Sequence, residues 1–253
     1  MLPYAPDFRL DGRRALVTGA SRGIGFAAAA ALAQAGAAVT LVARGESGLR
    51  AACSEFREAS LQCDFIELDV TDPRAVNAHI EAAGPFQILV NNAGMNRPKE
   101  LVQLEDEDID AVLDLNVKAA FYVTRVVVKQ LQASALPGSV INISSQMGRV
   151  GSPRRTLYCA SKHAIEGMTK ALAWELGPAG IRVNTLCPTF IETALTAGMF
   201  SDAAFRDWAT SRIALGRLGR VEEIMGAILF LASDASSLVT GSALMLDGGW
   251  TAA

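Results

Sequence analysis

Short, unbroken apolar runs alternate along this chain with longer stretches in which apolar positions recur every three or four residues. The runs Ala15–Thr18, Ala38–Val42, Phe65–Leu68, Ile88–Asn91, Val140–Ser144, Arg182–Cys187 and Ala243–Leu246 have strand length. The stretches Ile24–Gln34, Ser47–Ala59, Pro73–Ala82, Asp106–Ala133, Leu157–Leu176 and Val221–Ser233 have helix length. Continuously apolar strands are those covered on both faces, and their alternation with helices predicts a parallel sheet. The expected fold is α/β: a single Rossmann-type doubly wound domain over 1–253, with about seven parallel strands flanked by helices on both faces.

The rhythm breaks between Phe190 and Leu218, a segment of small and polar residues that also carries Met199, Phe200, Phe205 and Trp208. It follows a strand, on the side where parallel sheets bind ligands. The segment 190–218 reads as a substrate lid, with a surface excursion packing its own aromatics as the alternative.

Composition narrows the function. Hydrophobic residues make up 51% of the 253, and much of that is alanine, which lets helices sit close on a sheet. The length suits one doubly wound domain and leaves no room for a separate substrate domain of ordinary size. A net charge of -3 offers no basic footprint for nucleic acid. Met1 to Leu10 carries Pro3, Pro6 and Asp7 and does not read as a secretory leader. Phe26–Val42 and Ile224–Ala232 are interrupted or short of the ~20 residues of a membrane span. Cys53, Cys63, Cys159 and Cys187 show neither metal-ligand nor redox-pair spacing. A cytoplasmic protein with reduced thiols, no metal and no membrane or nucleic-acid partner is expected.

The first strand runs into T-G-A-S-R-G-I-G, Thr18 to Gly25. Gly19, Gly23 and Gly25, with Ser21, Arg22 and Ile24 between them, lie where a strand turns into a helix. That is where a tight turn and a helix N-terminus can cradle a dinucleotide pyrophosphate. The G-x-x-x-G-x-G spacing departs from G-x-G-x-x-G, so position carries the argument more than pattern. The second strand ends Leu41-Val42-Ala43-Arg44, where an acidic residue would accept the ribose hydroxyls of NAD. Arg44 suits a 2′-phosphate and Arg22 adds a second cation, which favours NADP(H) over NAD(H); Glu46 is the argument for NAD(H).

Tyr158 and Lys162, four apart, share a helix face with Cβ atoms ~5–6 Å apart. An ammonium ~4 Å from a phenol at an effective dielectric of ~20 supplies about 4 kcal/mol. That would lower a phenol of pKa ≈ 10 by roughly three pH units, enough for a general acid–base at a carbonyl. Ser145 ends the fifth strand, where its hydroxyl would hold the substrate oxygen. A helix-surface Tyr–Lys pair is the plain alternative.

These motifs, with Asp69-Val70, N-N-A-G at Asn91–Gly94, Asn116, I-S-S at Ile143–Ser145, Y-C-A-S-K at Tyr158–Lys162 and D-G-G at Asp247–Gly249, closely resemble the short-chain dehydrogenase/reductase family in its single-domain form. The likeness runs from about Leu10 to Trp250. It implies that Tyr158 is the acid–base, that Lys162 lowers its pKa and holds the nicotinamide ribose, and that Ser145, favoured over Ser144, orients the carbonyl. It further implies that Asn116 holds a water serving the lysine, that Asp69 and Val70 contact the adenine, and that Asn91, Asn92, Ala93 and Gly94 line the cofactor trough. Ile191 and Thr193 match positions that hold the carboxamide, with Pro188 and Thr189 as further cofactor-binding candidates. Thr189 stands where the family has glycine, and a β-branched residue disfavours positive φ, so that loop is expected to bend differently. The resemblance implies pairing of the helices at Asp106–Ala133 and Leu157–Leu176 into a homotetramer or homodimer.

The expected activity is hydride transfer between NADP(H) and a ketone or secondary alcohol, with 3-oxoacyl, sugar-acid or similar small molecules as substrates. A catalytically inert dinucleotide-binding or scaffold protein is the alternative. Candidate substrate contacts are Ser145, Gln146, Met147, Arg155 and Tyr158, with Met95 and Leu157 beside them. Arg154 and Arg155 would suit a carboxylate or phosphate, unless they are solvated loop charges.

Overall fold

A computed structural model describes residues 2–193, 196 and 198–252. Its seven strands are β1 (Arg14–Thr18), β2 (Ala38–Ala43), β3 (Cys63–Glu67), β4 (Ile88–Asn91), β5 (Gly138–Ile143), β6 (Ile181–Pro188) and β7 (Ala243–Leu246). All pair in parallel, in the order β3-β2-β1-β4-β5-β6-β7. The chain starts in the middle and winds outward twice, so the connections after β1 and β4 leave in opposite directions. A crevice opens between them at the C-terminal edge, the usual ligand position in such sheets.

The helices are α1 (Gly23–Gln34), α2 (Glu46–Glu58), α3 (Pro73–Ala83), α4 (Asp106–Leu113), α5 (Ala119–Ala133), α6 (Thr156–Leu176), α7 (Ala203–Ser211) and α8 (Val221–Ala232). Successive strand side chains point to opposite faces, and both faces are dry. Ala15 and Val17 pack under α1 and α8 with Ile224 and Ile228. Leu16 packs on the other face with Val76, Ile80 and Val127 of α3 and α5. Two buried faces are why the strands read as unbroken apolar runs. Ala28, Ala29 and Ala31 of α1 are fully buried; a strong helix former with a small side chain brings that helix close to the sheet. Asp72 starts α3 by accepting from Arg74 N at 2.8 Å and Ala75 N at 3.2 Å, with Pro73 in the first turn.

Several element bounds depart from the sequence expectation. β3 starts two residues early, at Cys63, because its register on β2 continues to the Val39–Cys63 pair. The helix expected over Asp106–Ala133 is interrupted by a π-helical turn at Asp114–Lys118. The segment 190–218 contains α7, capped by Asp202 on Ala204 N at 3.0 Å. Its aromatics do pack on one another: Phe190 stacks edge-on with Phe200 and Phe205, and reaches Trp250 at 5.8 Å. Residues 194, 195 and 197 of that segment lie outside the described residues. Among the described residues, no helix is long and apolar enough to cross a membrane.

Candidate active site

The glycine turn is built by close contact with the end of β4. Thr18 Oγ1 accepts from Asn92 N at 3.0 Å and Ala93 N at 3.1 Å, while Asn92 Nδ2 donates to Thr18 O and Gly19 O at 3.0 Å each. Gly19 and Gly23 have φ of +63° and +60°, a conformation that side chains disfavour. Gly25 is constrained by space. A Cβ there would stand 2.4 Å from both Gly19 O and Asn92 Nδ2. The turn therefore presents bare backbone at the N-terminus of α1, as a pyrophosphate cradle requires. Gly25→Ala is expected to cost about 1–3 kcal/mol and to weaken cofactor binding. Denaturant titration and quenching of reduced-cofactor fluorescence would show both; an unchanged affinity would remove the cradle from this turn.

Arg22 and Arg44 are exposed, and among the described residues neither makes an ion pair. Glu46, the argument for NAD(H), is instead engaged by Arg50 one helical turn on, with Nε–Oε1 at 3.0 Å. The end of β2 thus presents a cation to the crevice rim. Asp69 is exposed and spends Oδ1 on its own turn, accepting from Thr71 N at 2.9 Å and Oγ1 at 2.7 Å. Val70 is buried and lines a small cavity together with Thr18, Ala93, Asn116 and Lys162. Asn91 borders the same cavity, yet its amide donates downward to Thr124 Oγ1 at 2.9 Å and Asn142 Oδ1 at 2.8 Å. Asn142 in turn donates to Thr169 Oγ1 at 2.8 Å. The expected trough residue therefore anchors a buried polar chain beneath the site. The signal for that chain was an asparagine inside the apolar run of β5.

The catalytic candidates converge on the same edge. Ser145 follows β5, donates to Gln146 Oε1 at 2.6 Å and accepts from Met147 N at 3.1 Å; all three residues are buried. Lys162 is buried and donates to Ile143 O at 2.8 Å, with Nζ 5.5 Å from the centre of the Tyr158 ring. The π turn carries Asn116 inward. Its amide accepts from Met95 N at 2.8 Å and donates to Met95 O at 2.9 Å and Ser161 Oγ at 3.0 Å, and Ser161 donates to Tyr158 O at 2.8 Å. Asn116 thus ties the strand-β4 loop to the helix that bears Tyr158. Such π turns concentrate at functional sites. Both amide N–H donors are spent on protein groups.

The electrostatics differ from the expectation. Burial pushes the Tyr158 phenol up to about 12, opposed by the neighbouring Ser145 hydroxyl and by the Arg155 cation. The Lys162 ammonium is turned to a carbonyl, and burial pulls it down to about 8 against the pull of Cys187 and Glu166. Since the folded chain releases this proton before the unfolded one, the Lys162 contribution to stability should rise between about pH 8 and 10.5 as the buried charge is relieved. The rise, on the order of 2–3 kcal/mol, should vanish in Lys162→Met. Chemical denaturation of both proteins at about pH 7 and 10 without cofactor checks this, and parallel curves would refute it.

The rim is completed from β6 and β7. Thr189 donates its N–H to Leu246 O at 3.1 Å and does not adopt positive φ, so its β-branch is accommodated without strain. Ile191 is buried and bridges to Gly219. A Cβ on Gly23 would stand 3.7 Å from Thr193 Cγ2, which brings the segment after Pro188 across the glycine turn. Arg155 is half-buried beside Tyr158, whereas Arg154 is exposed. Leu157 and Met95 are half-buried.

Residues 19–251 match the family model described as enoyl-(acyl carrier protein) reductase. The chain is 40% identical to D-erythrulose reductase of Gallus gallus over 248 residues, 97% of this chain and 98% of that one. It is 42% identical to 3-oxoacyl-[acyl-carrier-protein] reductase of Thermotoga maritima over 245 residues, covering 95% and 98%. Its structure superposes with a TM-score of 0.94, 39% identity and coverage of 97% and 98% on the crystal structure of a gluconate 5-dehydrogenase from Burkholderia cenocepacia in complex with NADP and tartrate.

Proposed function

The chain belongs to the short-chain dehydrogenase/reductase family, and from that premise we propose that it moves a hydride between NADP(H) and a small ketone or secondary alcohol, with Tyr158 as general acid–base. The observation that carries the reading is the assembly of Ser145, Tyr158, Lys162 and Asn116 at the sheet edge that also bears the glycine turn. That convergence, in a chain so close to named reductases and dehydrogenases, leaves the inert alternative without support.

NADPH, when bound, supplies the hydride. Gly19, Ser21, Arg22, Gly23, Ile24 and Gly25 hold its pyrophosphate, Arg44 and Arg22 its 2′-phosphate, and Asp69 and Val70 its adenine. Asn92, Ala93 and Gly94 floor the trough, while Pro188, Thr189, Ile191 and Thr193 bound its nicotinamide end. The fit rests on a cradle that a Cβ would fill at Gly25 and on two rim arginines without carboxylate partners among the described residues; the gluconate 5-dehydrogenase it superposes on carries NADP.

Ser145 donates to the carbonyl oxygen once a substrate displaces Gln146 as its acceptor, and Gln146 and Met147 wall the pocket. Tyr158 delivers its proton to the same oxygen as negative charge develops there. Lys162, held at about 8, keeps its ammonium at neutral pH and is poised to replenish that proton. The segment 190–218 closes the pocket as a lid of one oxidoreductase domain. Exposed Phe121 on α5 and Trp174 on α6, 48% and 88% accessible, support pairing of these helices in a homodimer or homotetramer, and the free cysteines suit a cytoplasmic setting. A panel of ketones assayed with NADPH and NADH, followed by loss of reduced-cofactor absorbance, tests the activity. Oxidation of neither cofactor by any ketone would reject it.

A further inference from the structure

The turn before α6 treats its two arginines differently. Arg155 N donates to Ser152 O at 3.2 Å, and Arg154 is held in the left-handed region at φ +61°, a conformation that costs a non-glycine residue about 1–2 kcal/mol. The result sends Arg154 to solvent and Arg155 inward. Each of the other half-buried arginines among the described residues has a polar partner. Arg13 binds Asp234 at 2.7 Å, Arg97 binds Asp108 at 2.7 Å, and Arg14 and Arg182 donate to backbone carbonyls. Arg155 has none. Its Nη1 is cut off from solvent and makes no hydrogen bond, and no carboxylate lies within ion-pair distance of it among the described residues. A buried donor on a cation is costly to leave unpaired. This one lies close enough for its charge to act on the Tyr158 phenol.

Resting on the activity proposed above, we propose that Arg155 is the substrate's anion receptor, binding a carboxylate carried on the same small molecule as the reacting carbonyl. The planar guanidinium fork matches a carboxylate in two parallel hydrogen bonds. A single inward cation balances one negative charge rather than a phosphate dianion, since Arg154 is turned away. Its place one helical turn before Tyr158 puts the carboxylate within the span of a small keto acid. A sugar acid meets these demands; a neutral ketose offers hydroxyl acceptors but no charge to balance the guanidinium.

The test compares 5-ketogluconate, fructose and fructose 6-phosphate as substrates with NADPH, for the wild type, Arg155→Gln and Arg155→Lys. The wild type should prefer the keto acid. Arg155→Gln should lower kcat/KM for it about 10²-fold more than for fructose, and Arg155→Lys should recover part of that difference. Calorimetry gives a readout independent of turnover: gluconate should bind the wild-type complex with NADPH and fail to bind that of Arg155→Gln. Equal losses on keto acid and fructose would overturn the proposal, because Arg155 would then act only on Tyr158 or on the fold. Wild-type preference for fructose or fructose 6-phosphate would overturn it as well. Failure of the underlying activity looks different: the wild type would then oxidise NADPH with none of the three.

Discussion

Tyr158→Phe should lower kcat by about three to four orders of magnitude while leaving the affinity for NADPH within about twofold. The substitution removes one oxygen from a half-buried ring whose neighbours, Ser145 and Arg155, remain in place, so the pocket stays shaped and only the proton is lost. Ser145→Ala should cost less, about 10²–10³-fold, because the substrate oxygen keeps the tyrosine. The double variant should be little worse than Tyr158→Phe, since groups that act as one unit do not add. The pH dependence follows from the sign of the phenol's displacement. Burial raises it to about 12, so the protonated form needed for ketone reduction persists through neutral pH and that rate should be flat there. Alcohol oxidation needs the phenolate and should climb with pH over the same range. Reductive and oxidative turnover followed from about pH 6 to 10 would decide the matter. A Tyr158→Phe enzyme that keeps a tenth of its rate, or an oxidation rate that falls as pH rises, would take the proton role away from this residue.

The sheet was legible because burial on both faces writes itself into the chain as apolar runs, and all seven predicted strands are present with edges shifted by a residue or two. Periodicity had less to say where a helix changes pitch. A π turn inserts one residue without altering the apolar stripe much, so Asp106–Ala133 reads as one helix; the poor helix propensity of Asn116 was the available hint. Conformation at Ser145, Tyr158 and Lys162 followed from their spacing, but the source of the phenol's tuning did not. Sequence distance places an ammonium near a ring, while only the fold shows Ile143 O taking that ammonium and Arg155 turned toward the phenol. The two adjacent arginines are chemically equal in the sequence. The left-handed residue that separates them arises from the turn as a whole, and no local pattern announces it. Glu46 is a similar case: its nearness to Arg44 argued for NAD(H) until Arg50 was seen to hold it.

That engagement of Glu46 gives the second large effect, a switch of cofactor by Arg44→Asp. Arg44 stands exposed just past β2, and with Arg22 it offers two guanidinium groups to a 2′-phosphate. Hydrogen bonds to a charged group contribute about 1.5–3 kcal/mol each, so losing one cation should cost NADPH roughly 10–100-fold. The new carboxylate adds like-charge repulsion against the phosphate, and it places an acceptor where the ribose hydroxyls of NADH need one. Together these should move the ratio of kcat/KM for NADPH over NADH by about 10³-fold, almost all of it in KM, because the change lies far from Tyr158 and kcat depends on the latter. Arg22→Ala should shift the ratio less, since it adds no repulsion, and the two changes should combine less than additively because they share one phosphate. Fluorescence titration with each reduced cofactor separates binding from turnover. If Arg44→Asp leaves both dissociation constants alone, the 2′-phosphate is held elsewhere. If it weakens NADH as much as NADPH, Arg44 supports the fold of the β2 end and does not select the cofactor.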